Sequence, residues 1–236
     1  MIKDIYGQGL TAFRDGKKDT VFTVESNIAD TEEWPVSLFF RSYDEMPEIE
    51  KTALFLTGEK VLDVGAGAGS HALWLQDNGR QVTALDISPG AVNVMKSRGI
   101  PDAIEKDFFS YQGGKFDTIL LLMNGIGITG RLENLRLFFA QAKNLLETGG
   151  KILLDSSDIL YLFEEEDGSV MINLNSEYYG EIEYTFSFEG EEGEPFPWLF
   201  IDYDTLEEFA EIHGFSCRKI YEDDHYHYLA ELRPIN

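Results

Sequence analysis

The stretch Lys60-Val-Leu-Asp-Val-Gly-Ala-Gly-Ala-Gly-Ser70 decides the fold of this chain. It opens with an apolar run of the kind found in parallel strands that are buried on both faces. Three glycines at alternate positions then let the backbone turn sharply and let a ligand approach it closely. Beyond them, residues 70–78 have the apolar pattern of a helix, and Gly79 is expected to cap its end. This order of strand, glycine turn and helix is typical of the first unit of an open parallel α/β sheet.

The same alternation of strands and helices continues as far as residue 155. Ser88 is expected to cap a second helix that begins at Pro89, and residues 132–147 form an amphipathic helix before the fifth strand. The five predicted strands are residues 60–64, 81–86, 103–106, 116–123 and 151–155. Because strands and helices alternate, we expect a doubly wound sheet with right-handed crossovers.

The last third of the chain has a different pattern, with strands that follow one another more directly. Residues 215–221 and 226–232 are expected to form an antiparallel pair. The predicted fold class is therefore α/β: a doubly wound, seven-stranded, mostly parallel sheet with an antiparallel C-terminal strand pair and helices on both faces. Residues 178–203 contain a predicted β-hairpin, part of an insert after strand five at about residues 157–203. Asp204 is expected to cap a helix that ends at Ile212.

The N-terminal part of the chain has the least regular pattern. Residues 19–25 alternate apolar and polar side chains, as in a short strand or an arm. Between residues 36 and 55 the apolar residues recur at helical spacing, and Pro47 is expected to divide this segment into two helices. We therefore predict an N-terminal arm and helical cap over residues 1–53 and the main domain over residues 54–236, both within one compact domain.

Composition limits the classes of partner. The formal net charge is −24, from 43 acidic and 19 basic residues. Such a surface repels nucleic acids and anionic membranes, so neither is an expected partner. The single cysteine, Cys217, excludes an intrachain disulfide and fits a reducing compartment. No window reaches the roughly 20 apolar residues of a membrane span. We expect a cytoplasmic protein that is a monomer or a homodimer.

The glycine loop itself indicates the charge of its ligand. A helix N-terminus beyond such a loop presents free N–H groups and suits an anionic group. The dinucleotide fingerprint Gly-x-Gly-x-x-Gly, counted from Gly65, would place its third glycine at Ser70, so that match fails. Asp63, two residues before Gly65, would repel a pyrophosphate but suits a ligand that also carries positive charge.

These residues resemble the motifs of the class I S-adenosylmethionine-dependent methyltransferases. Residues 61–69 resemble the first motif, and Asp86, at the end of the second strand, matches the acidic residue that binds the ribose hydroxyls. Asp107 and Phe108 resemble the pair that reads the adenine amino group and packs on the ring. Residues 116–124 resemble the fourth-strand motif near the transferable methyl, and residues 145–154 the glycine turn into the fifth strand. The resemblance covers residues 54–155 in register.

The resemblance implies an enzyme that uses S-adenosylmethionine and releases S-adenosylhomocysteine. It also implies that the segment before the core packs over the cofactor, with Arg41 pairing with the cofactor carboxylate and Tyr43 lining a lid. The cofactor-binding residues that we predict are Asp63, Gly65, Ala66, Gly67, Gly69, Asp86, Ile87, Asp107, Phe108, Met123, Asn124, Arg41 and Tyr43.

The methyl acceptor is the least readable feature of the sequence. We expect a small molecule that is methylated on O, N or S. No catalytic residue is identified; Asn124, Tyr43 and His225 are candidates for a base. His225 and His227 share one face of a strand, but no cluster of Cys and His completes a metal site, so no metal is predicted. The alternatives are an NAD-dependent oxidoreductase on a Rossmann fold and a non-catalytic cofactor-binding protein.

Overall fold

A computed structural model describes residues 3–164, 169 and 177–235 of the chain. The helices are α1 (Ile5–Arg14), α2 (Glu48–Phe55), α3 (Ser70–Asp77), α4 (Pro89–Ser97), α5 (Leu135–Leu145) and α6 (Tyr203–Ile212). The strands are β1 (Val21–Ser26), β2 (Glu32–Pro35), β3 (Lys60–Val64), β4 (Gln81–Asp86), β5 (Ala103–Glu105), β6 (Phe116–Leu121), β7 (Leu146–Ser157), β8 (Glu181–Phe188), β9 (Glu191–Glu192), β10 (Phe196–Leu199), β11 (Phe215–Glu222) and β12 (His227–Pro234).

The main sheet has seven strands in the order β11-β12-β7-β6-β3-β4-β5. Strands β3 to β7 run parallel to one another, while β12 pairs antiparallel with both β7 and β11. The predicted fold class is therefore confirmed. The chain leaves β3 towards β4 on one side and returns to β6 on the other. A crevice opens at the carboxyl ends of strands where the order reverses in this way, so the ligand site is expected beyond β3.

Each face of the main sheet has its own hydrophobic core because strand side chains alternate between faces. Leu62 and Ile119 pack on the face covered by α5 and α6. Val61, Leu120 and Leu153 pack on the opposite face, which α2, α3 and α4 cover. Burial on both faces explains why these strands are continuous apolar runs in the sequence.

A second, antiparallel sheet joins the N-terminal strands to the insert, in the order β10-β8-β1-β2 with β9 paired to β8. Phe22 and Val24 of β1 pack with Phe188 of β8 and with Leu10 of α1. Ala68 of the glycine loop belongs to the same cluster. This small sheet and α1 therefore lie against the loop that the sequence singled out. The predicted hairpin within the insert exists as strands β8 and β10. Strand β8 also pairs with β1, which joins the insert to the N-terminal part of the chain.

Several local predictions differ from the structure. Residues 36–55 contain two short 3-10 helices, Val36–Phe40 and Tyr43–Glu45, where a first α-helix was expected. Pro47 is the N-cap of α2 and divides the segment as predicted. The cap of α6 is Asp202 instead of Asp204, because its carboxylate accepts from the Thr205 amide at 2.9 Å. Helix α1 was not predicted at all. Within the predicted insert, residues 165–168 and 170–176 lie outside the described residues.

Candidate active site

The glycine loop between β3 and α3 has the backbone geometry of a ligand cradle. Gly65, Gly67 and Gly69 have φ values of 69°, 56° and 82°, in the left-handed region that favours glycine. Gly69 is the N-cap of α3 and has no side chain with which to accept from the first turn. No N-cap side chain therefore accepts from the first amides of α3, and this end of the helix favours negative charge. The Ala72 amide of the same turn is already hydrogen-bonded to Asp63.

Asp63 lies at the end of β3, directly below this loop, and is 1% exposed. Among the residues that the structure describes, its Oδ2 atom has no hydrogen-bond partner. Burial raises the pKa of Asp63 to about 6, although the nearby charge of His71 acts in the opposite direction. A buried carboxylate oxygen without a partner is unfavourable, so this position calls for a cationic or donor group of a ligand.

Asp86 lies at the end of β4, beside the loop. Its Oδ2 atom accepts from the Gly67 amide at 2.8 Å and its Oδ1 atom accepts from the Ser88 amide at 2.9 Å. Burial raises the pKa of Asp86 to about 6 despite these hydrogen bonds. The next residue, Ile87, is 74% exposed. A fixed carboxylate is therefore adjacent to an open apolar side chain.

Asp107 and Phe108 follow β5, but only one of the two side chains is accessible. Asp107 is exposed, and its carboxylate caps the next turn by accepting from the Phe109 amide at 3.1 Å. Phe108 is buried in the core, with its ring 5.6 Å from that of Phe138. The placement of Phe108 does not support its predicted packing on an adenine ring, because its ring already packs beneath the sheet.

Met123 and Asn124 form a strained turn after β6. Their φ values are 63° and 57°, and such strain is typical of functional sites. Asp155 of β7 holds the turn by accepting from the Met123 and Gly125 amides at 3.1 and 3.3 Å. The side chain of Asn124 donates instead from Nδ2 to the carbonyl oxygen of Leu199 in β10, at 3.1 Å. Its amide group therefore ties this turn to the small sheet.

Arg41 belongs to a buried chain of charges that reaches Asp63. Its guanidinium lies 2.6 Å from Oε1 of Glu50, and Oε2 of Glu50 lies 2.8 Å from Nε2 of His71. Burial alone would raise the pKa of Glu50, but its contacts with His71 and Arg41 outweigh burial and lower that pKa. The ring of Tyr43 is partly buried and stacks on that of Trp74, with the ring centroids 4.8 Å apart; its place on a lid stays a prediction.

Helix α1 brings residues to the loop that sequence reasoning missed. A Cβ added at Gly67 would lie 2.7 Å from the hydroxyl oxygen of Tyr6, so this side chain covers the loop. Oδ2 of Asp4, the N-cap of α1, accepts from the Ser88 hydroxyl at 2.9 Å and from the Gly90 amide at 2.8 Å. No local sequence signal indicates these contacts, since the partners are more than eighty residues apart along the chain.

Comparisons with known proteins agree with this geometry. A family model described as "Methyltransferase domain" matches residues 62–154. A ubiquinone biosynthesis O-methyltransferase of Xanthomonas euvesicatoria is 28% identical over 117 residues, which is 46% of this chain and 47% of that protein. A demethylmenaquinone methyltransferase of Tropheryma whipplei is 28% identical over 102 residues, 41% of each chain. The chain spans about half the length of these curated relatives.

A solved structure extends the likeness over the whole chain. A SAM-dependent methyltransferase from Bacteroides fragilis, in complex with S-adenosyl-L-homocysteine, is 46% identical, with a TM-score of 0.93 over 99% of this chain and 96% of that one. This chain belongs to the S-adenosylmethionine-dependent methyltransferases. The predicted family is confirmed, and with it the cofactor that defines the family. The CcbJ methyltransferase of Streptomyces caelestis, at 17% identity and a TM-score of 0.62 over 82% of this chain and 95% of that one, shares the fold.

None of the helices in the described ranges has the length and apolar character that crossing a membrane requires. Within the same ranges no group of three or more His, Cys, Asp or Glu side chains is arranged to hold a metal ion.

Proposed function

We propose that this chain transfers a methyl group from S-adenosylmethionine to an O, N or S atom of a small-molecule acceptor. The observation that carries the proposal is the buried Oδ2 atom of Asp63, which has no partner among the described residues. The ammonium group of the cofactor would supply the missing donor. It would also favour the ionised carboxylate and so reverse the effect of burial on the pKa of Asp63.

The carboxylate of the same cofactor fits the opposite side of the loop. The first amides of α3, which no N-cap side chain accepts, and the positive end of the helix dipole suit an anion. Arg41 uses one guanidinium nitrogen for Glu50, and a guanidinium has five N–H donors, so others are left for the cofactor carboxylate. Asp63 and Arg41 would thus recognise the two charges of an amino-acid group.

The nucleoside half fits the end of β4. Each oxygen of Asp86 accepts one amide and has a second lone pair for a ribose hydroxyl. Ile87 offers an exposed apolar side chain on which an adenine ring can pack, and Asp107 is an exposed acceptor nearby in the fold for the adenine amino group. We keep Gly65, Ala66, Gly67, Gly69, Met123 and Asn124 in the proposed cofactor site, as backbone groups that line it.

The cofactor supplies a methyl group on a sulfonium, which is electrophilic, so the protein must mainly align the acceptor and exclude water. The curated relatives are named for methylation in ubiquinone biosynthesis and of demethylmenaquinone, and this supports a small-molecule acceptor. The net charge of −24 disfavours a nucleic-acid acceptor. A monomer or a homodimer stays our prediction for the assembly.

Calorimetry with S-adenosylmethionine and S-adenosylhomocysteine tests the proposal. We expect the wild type to bind both, and Asp86→Ala to weaken binding by roughly ten- to a hundredfold, the equivalent of about 1.5–3 kcal/mol for hydrogen bonds to a charged group. Asp224→Asn, at an exposed carboxylate, is the matched control and should bind as the wild type does. A wild-type protein that binds neither compound would overturn the proposal. Binding without methyl transfer to any phenol, amine or thiol would leave a cofactor-binding protein instead.

A further inference from the structure

A histidine–aspartate pair lies at the carboxyl edge of the sheet, outside the proposed cofactor contacts. His227 is the first residue of β12, and its Nε2 atom lies 3.2 Å from Oδ2 of Asp155 at the end of β7. In the antiparallel pairing Leu229 lies opposite Asp155, and side chains two residues apart share a face. The two groups therefore meet on the face of the sheet that α2 covers.

Asp155 is fixed relative to the turn near the transferable methyl. It is 0% exposed, and its two oxygens accept from the amides of Met123 and Gly125. Those amides belong to the strained turn after β6. Because Asp155 holds both this turn and the ring of His227, the ring has a defined position beside the turn.

His227 has one ring nitrogen engaged and one free. Nε2 faces Asp155, while Nδ1 has no hydrogen-bond partner within the part of the chain that the structure describes. The side chain is 27% exposed, and Nδ1 is not among the buried polar atoms that lack a partner in the described residues. A neutral ring that donates from Nε2 to a carboxylate has its lone pair on Nδ1, which is the arrangement of a base oriented by an acid.

The charged groups that act most strongly on the pKa of this ring are negative. These groups are Asp155 on β7, Asp223 in the turn before β12 and Glu50 on α2. Burial alone would lower the pKa of His227, but the hydrogen bond to Asp155 and these negative charges outweigh burial and raise it. The imidazole is therefore a stronger base than one free in water.

The other candidates do not have these properties. His71 is buried, with Nε2 against Glu50 and the charge of Asp63 beside it. Tyr43 packs on Trp74, and an Asn124 amide is not a base. His225 is exposed, and its backbone amide donates to Asp223 in the turn.

We propose that His227 is the general base of methyl transfer, that Asp155 positions it, and that the acceptor is an ionisable hydroxyl of a phenol or enol. This inference rests on the proposed function. An imidazole suits such a hydroxyl because proton transfer is most efficient when the base and the acid are not far apart in pKa. The pKa of a phenol is about 10. An alkyl hydroxyl is a much weaker acid and a poor match.

The step balances without a further reactant. The hydroxyl proton moves to Nδ1 of His227, and a lone pair of the acceptor oxygen forms the new O–CH3 bond. The S–CH3 bond breaks and its electron pair stays on sulfur, which leaves the neutral thioether of S-adenosylhomocysteine. The imidazolium then loses its proton to water, so the positive charge of the sulfonium leaves as a proton.

The test compares the full-length wild type with His227→Gln and with His225→Gln as the matched control. Phenol, catechol and 4-nitrophenol are the acceptors, and S-adenosylhomocysteine release is measured from pH 6 to 9. We expect His227→Gln to lower kcat for phenol and catechol by roughly a hundred- to ten-thousandfold, because general-base catalysis contributes about that much. At pH 9 the effect should be far smaller for 4-nitrophenol, whose hydroxyl is a stronger acid than that of phenol and is already ionised in solution. His225→Gln should match the wild type.

The pH profile separates a base from a merely structural residue. The wild-type rate should rise with pH and level off once His227 is neutral, whereas the His227→Gln rate should keep rising as the acceptor itself ionises. Asp155→Asn, which removes the charge that stabilises the imidazolium, should move the wild-type inflection to lower pH. Equal losses for phenol and 4-nitrophenol, or an unchanged profile, would overturn the role of His227.

Two further measurements distinguish a failure of this inference from a failure of the proposed function. Calorimetry with S-adenosylhomocysteine should give the same affinity for His227→Gln and the wild type. A wild type that does not bind S-adenosylhomocysteine would contradict the proposed function itself. Nitrogen NMR of the S-adenosylhomocysteine complex should show the neutral His227 ring protonated at Nε2. A proton on Nδ1, or methyl transfer to amines but to none of the three phenols, would overturn the inference while the proposed function stands.

Discussion

Replacing Asp63 with asparagine should move stability and cofactor affinity in opposite directions. Burial raises the pKa of this carboxyl from 3.8 to about 6. A shift of about two units, at about 1.4 kcal/mol each, means that ionised Asp63 destabilises the ligand-free protein by about 3 kcal/mol at neutral pH. The source of that destabilisation is a carboxylate whose Oδ2 atom has no partner among the described residues.

The direction in which stability changes with pH follows from proton binding to Asp63. Between about pH 4 and 6 the folded protein holds a proton on Asp63 that the unfolded chain has lost, so the free energy of unfolding falls as pH rises through this window. Asparagine does not titrate there. We therefore expect Asp63→Asn to match the wild type near pH 4 and to be more stable by about 1–3 kcal/mol at pH 7.5, less than the full amount because the amide is also buried.

Cofactor affinity should fall in the same variant. The proposed contact between the cofactor ammonium and Asp63 is a charge-assisted hydrogen bond, whose loss costs about 1.5–3 kcal/mol. That is roughly a ten- to hundredfold weaker Kd for S-adenosylhomocysteine.

Urea denaturation at pH 4, 5, 6 and 7.5 without ligand measures the first effect, and calorimetry at pH 7.5 measures the second. Asp224→Asn changes the charge by the same amount at an exposed site and should change neither quantity. If Asp63→Asn were less stable than the wild type at pH 7.5 yet bound S-adenosylhomocysteine equally well, the account of Asp63 as the ammonium partner would be refuted.

Two predictions remain for the cofactor site. Wild-type affinity for S-adenosylhomocysteine should fall as pH is lowered through about 6, since both Asp63 and Asp86 then become protonated; calorimetry from pH 5 to 8 checks this, and a flat profile would contradict it. Ile87→Ala should weaken binding about fivefold, by about 1 kcal/mol of lost apolar contact, with no change in Tm because Ile87 is 74% exposed. A lower Tm with unchanged affinity would mean that Ile87 packs on the protein instead.

Much of the main sheet was predictable because its signals are local. The bounds of β3 and β4 agree with the sequence prediction, as do the start of α4 at Pro89 and its Ser88 cap. Strands buried on both faces are apolar throughout, and glycine or proline marks their ends. The main errors in this region lie around α5, which begins at Leu135 after a separate 3-10 turn at Leu132–Asn134 and ends at Leu145. Strand β7 already begins at Leu146 instead of residue 151, so the predicted glycine turn lies within the strand.

The flanking parts were harder to predict because tertiary contacts stabilise them. Helix α1 contains Gly7 and Gly9, which weaken a helical pattern, yet both are buried, and Gly9 lies against the ring of Phe22. Strand β1 pairs with β8, which lies far along the chain, and no local pattern specifies that partner. The sequence predicted that Phe108 contacts the ligand, but in the fold its ring packs against Phe138 of α5 in the core.

By itself, the sequence determined the cofactor class. Asp63, the alternate glycines and Asp86 lie at strand ends, and their chemistry can be read from their positions in consecutive units of one parallel sheet. The tertiary structure alone decided what meets at the carboxyl edge of the sheet: Tyr6 lies above Gly67, and His227 lies against Asp155, 72 residues away along the chain. The spacing of residues along the chain does not predict such contacts, because they form only when separate elements pack at one edge of the sheet.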